Sequence, residues 1–151
     1  MSFLLALCLT FAQNPAPSPL QQANQLVQQG QFSQAIAILE PLVQSKPQAA
    51  GAWSLLGYCY HAQRDWAKAI PAHEQAATFP QTAANASYNL ACAWALQGDP
   101  EQAFAWLAKA KTAGFQNWAN LWQDPDLNSL QSDSRFLNFA PPKANFDNPF
   151  V

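Results

Sequence analysis

Charge is scarce in this chain: of 151 residues only seven are Lys or Arg and nine are Asp or Glu, which leaves a formal charge of −2. The cations stand singly rather than in a stripe, so nucleic acid and anionic membrane surfaces are not expected as partners. Glycine is equally thin, five isolated residues, and the chain has neither a phosphate-cradling loop nor a nucleophile elbow around a serine. Its three cysteines are Cys8, Cys59 and Cys92, too few for a disulfide framework. Cys59 and Cys92 could pair in an oxidising compartment, but they read more simply as small core residues. His61 and His73 are the only imidazole bases. Cys59 and His61, two apart on one helix, point to nearly opposite sides, so no metal ligand set is read and no cofactor is expected.

The run from Phe3 to Phe11 is shorter than the about 20 apolar residues that a membrane-spanning helix needs. Followed by Ala12 and a polar, Pro-rich stretch, with small Thr10 two residues before Ala12, it reads as a secretory signal over 1–12 with a linker over 13–17. No Lys or Arg precedes it, and the large Leu7 before Cys8 argues against a lipoprotein. A periplasmic or secreted chain is the expectation, and a cytoplasmic one the alternative.

What the chain does have is a period. Segments starting at Ala16, Ala50 and Ala84 align without a gap, 34 residues apart. Ala35, Ala69 and Ala103 share one slot; Ala23, Gly57 and Ala91 another; Leu26, Tyr60 and Trp94 a third. Small residues recur where two helices must approach, and large ones where a gap must be filled. Ser18-Pro19-Leu20-Gln21 has the form of a capping box with Pro at the first helical position, and Asp99-Pro100-Glu101-Gln102 repeats it. Gly30 and Gly98 fall at one repeat position, where the chain turns between helices. Pro41 and Pro71 fall inside second helices and are expected to kink or shorten them. Asp65, Asp99, Asp124 and Asp126 each stand at an expected helix start, where capping accounts for a carboxylate. Trp53, Trp66, Trp94 and Trp106 lie on packing positions, while the roles of Trp118 and Trp122 stay open.

Trp53-x2-Leu56-Gly57-x2-Tyr60, followed by Ala69, Ala76 and Pro80, resembles the tetratricopeptide repeat. Pro80 falls one position early, Pro19 stands at the first Trp slot, and His73 replaces the usual aromatic. The resemblance implies an all-α fold: a right-handed α-solenoid of three helix-turn-helix units over 18–113. Residues 114–139, dense in Trp, Leu and Phe, read as short C-terminal capping helices, and 140–151 as a flexible tail.

The resemblance also implies a function, a non-catalytic scaffold that binds a protein or peptide in a groove lined by the first helix of each pair. Carried over position by position, the groove residues are Asn24, Gln28, Ser54, Tyr58, His61, Asn85, Tyr88 and Cys92. That set is uncharged apart from His61 and suits an extended neutral segment. The carboxylate clamp of chaperone-binding relatives falls here on Leu20, Asn24, Leu55, Asn85 and Asn89, of which only the first Asn matches, so a terminal carboxylate is not the expected ligand. A self-associating structural protein of the cell envelope is the competing reading, and an enzyme or small-molecule binder the third.

Overall fold

The capping signals act where the sequence places them. In the computed structural model, which describes residues 16–140, Ser18 Oγ accepts from the Gln21 N–H at 3.3 Å and Gln21 Oε1 accepts from the Ser18 N–H at 2.7 Å, a complete capping box. Asp99 Oδ1 accepts from the Gln102 N–H at 3.0 Å. They open the first and last of six α-helices: α1 (Pro19–Gln28), α2 (Phe32–Ser45), α3 (Ala50–Ala62), α4 (Trp66–Ala77), α5 (Ala83–Leu96) and α6 (Pro100–Thr112). Three 3₁₀ helices follow: η1 (Trp118–Gln123), η2 (Pro125–Leu130) and η3 (Ser134–Asn138). No strand occurs among the described residues. No helix among them is long and apolar enough to cross a membrane. The signal read over 1–12 lies outside the described residues, as does the tail from 141. Ala140, where the tail was expected to start, is instead buried and donates its N–H to the Phe136 carbonyl.

The period is visible in the backbone. Between the helices of each pair the chain turns through a residue of positive φ, Gly30 (71°), Arg64 (59°) and Gly98 (77°). The following N–H closes onto a carbonyl five residues back: Gln31 to Leu26, Asp65 to Tyr60 and Asp99 to Trp94. Gly114, at φ 89°, ends α6 in the same way, with the Phe115 N–H on the Ala110 carbonyl. This left-handed closure satisfies carbonyls that a helix end leaves open.

Each helix packs on the next in order. Ala23, Ala35, Ala69, Ala91 and Ala103 are all fully buried, so the shared Ala slots are the places of close approach. Gly57 shows why one slot excludes even a methyl group: a Cβ there would lie 2.5 Å from Nδ1 of His73, which is itself fully buried. Around these contacts lie two cores, one of α1 to α4 around Leu39, Leu56 and Tyr60, the other of α5, α6 and the closing segment around Leu107, Leu121, Leu127 and Phe136. The repeat tryptophans are half-buried against them, and so are Trp118 and Trp122.

Two expectations are corrected. Of the kink or shortening expected at Pro41 and Pro71, the shortening does not occur, since α2 and α4 run past them. Both are exposed, where water can take the carbonyl each leaves unbonded. Asp65 stands at the start of α4 but makes no side-chain capping bond.

Candidate functional site

First helices from all three pairs and the closing segment share one open groove of about 550 Å³. α1 contributes Leu20 and Asn24, α3 contributes Ser54, Leu55 and Tyr58, and α5 contributes Asn85, Tyr88 and Asn89. Phe115 and Asn117 close it from beyond α6. No Asp, Glu, Lys, Arg or His lines it. Among the described residues the side-chain amides of Asn85, Asn89 and Asn117 carry no hydrogen bond, whereas Asn24 Nδ2 donates to the Leu20 carbonyl of its own helix at 3.1 Å. Tyr58 is 47% exposed, its ring edge-on to Phe32. The groove is therefore polar without charge, with free amides beside the exposed Tyr58 ring and the half-buried Leu20 and Leu55.

Of the eight residues carried over from the repeat pattern, five meet here: Asn24, Ser54, Tyr58, Asn85 and Tyr88. Gln28 is exposed at the end of α1 but does not line the groove. Cys92, expected on the groove surface, is buried at 3% exposure. Tyr88 lines the groove, but its hydroxyl is donated to Asp124 Oδ2 at 2.5 Å and its ring stacks on Phe115 with centroids 4.4 Å apart. His61 is likewise engaged, Nε2 to Asp126 Oδ2 at 3.0 Å, with its ring edge-on to Trp66.

One cause underlies the departures at Cys92, Tyr88 and His61: the closing segment lies against α5. Asp124 Oδ1 accepts from the Asp126 N–H, its Oδ2 takes Tyr88 and, at 3.9 Å, the Cys92 thiol, and Ser129 Oγ donates to the Ala95 carbonyl. Asp124 and Asp126, read from sequence as caps, thus bond across the fold to residues 36 and 65 positions away. Burial, with neighbouring Cys92 and Asp124 adding to it, holds the Tyr88 hydroxyl protonated far above its ordinary range. Burial followed by the charges of Asp124 and Asp126 does the same to the Cys92 thiol. A thiol so disfavoured as thiolate is a poor nucleophile.

Cys92, Asp124 and Asp126 place a thiol sulfur and two carboxylate oxygens within 4.8 Å of one another, the one such group of potential metal donors among the described residues. Their bonds to Tyr88, His61 and each other already account for the arrangement. A second hollow, of about 680 Å³, lies on the side of α2 and α4, where Tyr60 donates to Glu40 and Lys68 stands over the Tyr60 ring. Nothing local in the sequence marked Phe115 or Asn117 as groove residues; the contacts that bring them there span the closing segment.

Compared with known families, residues 20–84, from α1 to the start of α5, match the model of the tetratricopeptide repeat. No curated protein matches the chain.

Proposed function

Because this chain is a tetratricopeptide-repeat protein, and such repeats generally mediate protein–protein interaction, we propose that it is a non-catalytic scaffold whose first-helix groove holds a protein segment. The uncharged lining supports this most directly: free amides of Asn85 and Asn89 can bond a peptide backbone, and Tyr58 gives apolar area at small entropic cost. An ionised ligand group placed there would lose its water and find no counter-charge.

The test is capture of partners by the parent chain and by a Tyr58→Ala/Asn85→Ala variant. Both positions are solvent-accessible and carry no bond that the fold needs, so circular dichroism should show the variant folded. Tyr88 is unsuited because it holds the closing segment. A partner retained by the parent and lost by the folded variant supports the groove; equal retention removes it. The competing role, self-association, predicts a mass that rises with concentration in sedimentation equilibrium. The proposal extends to export, resting on the run from Phe3 to Phe11, and is checked by the mass of the mature chain.

A further inference from the structure

We infer that the groove is a blind cup rather than a through-channel, and that it takes one large apolar side chain from a short uncharged stretch of a partner. This rests on the groove reading above and specifies its ligand. In an open row of first helices the groove would continue along α5 towards the end of α3. Here that path is crossed by the chain itself, with Asp124 on Tyr88 and Cys92, Asp126 on His61 and Ser129 on the Ala95 carbonyl. Leu127, next to this stretch, is fully buried in the core of α5 and α6. The Asp-Pro-Asp-Leu stretch therefore occupies the groove as a permanent ligand in cis, and a partner strand cannot run through.

Beyond Tyr58 a smaller hollow of about 300 Å³ remains, around His61, Ala62, Leu96 and Asp126. Of the groove, about 550 Å³ stays open beside α1, within the range of pockets that take a compact group. Its apolar surface comes from Tyr58 and Leu55 on α3 and from Phe115. Around these stand the unbonded amides of Asn85, Asn89 and Asn117, able to accept and donate to the backbone on either side of an inserted side chain. The two nearby carboxylates lie outside this lining and turn their oxygens to Tyr88 and His61, so they present no direct partner to a lysine placed in the cup. An aromatic or branched apolar anchor flanked by neutral residues matches this lining; an acidic or basic segment, or a chain terminus, does not.

The experiment is selection of a displayed random peptide library on the full chain, followed by fluorescence anisotropy with synthetic versions of the selected peptides. Binders are expected to share a short core with one large apolar residue and no charge. Changing that residue to Ala, or placing Glu or Lys beside it, should weaken binding by roughly tenfold or more, while lengthening the peptide at either end should change affinity by less than about twofold. Binders that depend on a charged residue, or whose affinity keeps climbing with length, overturn the cup even when Tyr58→Ala/Asn85→Ala abolishes binding. Peptides that bind this folded variant as tightly as the parent overturn the groove reading itself, and a selection without binders counts against both.

Discussion

Arg64 carries the largest local conflict between residue type and backbone. It holds a left-handed φ of 59° at the slot filled by Gly30 and Gly98 in the neighbouring pairs, and its side chain makes no hydrogen bond or ion pair among the described residues. A Cβ in that conformation costs about 1–2 kcal/mol. Glycine recovers it and returns part through the freer unfolded chain. Arg64→Gly should therefore stabilise the protein by roughly 0.5–1 kcal/mol in urea unfolding, with the slope unchanged. The register places this position 34 residues from each glycine, but Arg carries no turn signal of its own, so the turn is legible in sequence only at the glycines. His73 is the converse, a position whose residue type stood out while its consequence did not. It is fully buried, and neither ring nitrogen has a hydrogen-bond partner among the described residues. Burial, assisted by nearby His61, pushes its pKa down to about 3. The folded state keeps the ring neutral while the unfolded chain takes up a proton below pH about 6.5. The stability it contributes is thus complete above that pH and is lost as pH falls towards 3, at up to about 1.4 kcal/mol per unit. Between pH 7.5 and 5 the parent should lose roughly 2 kcal/mol more than a His73→Leu variant; parallel pH profiles would contradict this.

At the scale of elements, caps and turns were legible because their signals are local. Ser18 with Gln21 and Asp99 with Gln102 bond within four residues of chain, and the structure repeats what their spacing implies. The closing segment was legible only as an apolar cap. Which face it would cover was not, since Tyr88 and Asp124 meet across 36 residues with no periodic relation between them. That contact can be weighed. Tyr88→Phe removes a hydrogen bond to a carboxylate, a class contributing about 1.5–3 kcal/mol, and leaves the half-buried Asp124 with the weak Cys92 thiol donor on that oxygen. The ring remains to stack on Phe115. The variant should stay folded and lose about 1–2 kcal/mol. Amide hydrogen exchange should quicken across η1 and η2 while α1 and α2 keep the protection of the parent. Uniform quickening along the chain would mean that the bond supports the whole fold rather than the closing segment.

The whole molecule is two cores in series. Stability in a chain of stacked helix pairs is close to a sum of unit terms and nearest-neighbour interfaces, so damage at one end need not reach the other. The inner end has α1 and α2 packed on α3. At the outer end no further repeat follows among the described residues, and the face that α5 and α6 would offer one is covered by Leu121, Leu127, Leu130 and Phe136, each at 2% exposure or less. Arg135 fastens this cover, bonded to Glu101 of α6 at 2.8 Å and to Asp133 at 2.7 Å, its guanidinium 4.4 Å over the Phe104 ring. These ion pairs are solvent-exposed and contribute little alone, so the buried rings and leucines carry the attachment. Phe136 is the largest fully buried side chain among the described residues. Phe136→Ala removes a ring that Trp122 meets edge-on at 4.9 Å, and a cavity of that kind costs about 3–5 kcal/mol. If the two cores are nearest-neighbour units, the loss falls on α5, α6 and the closing segment. Thermal unfolding should then split, an early transition exposing Trp106, Trp118 and Trp122 and a later one retaining the helicity of α1 to α4. The probes are tryptophan fluorescence for the first and far-ultraviolet circular dichroism for the second. A single coincident transition, lowered as a whole, would show instead that the packing of α4 on α5 couples the two cores more strongly than the missing ring weakens one of them.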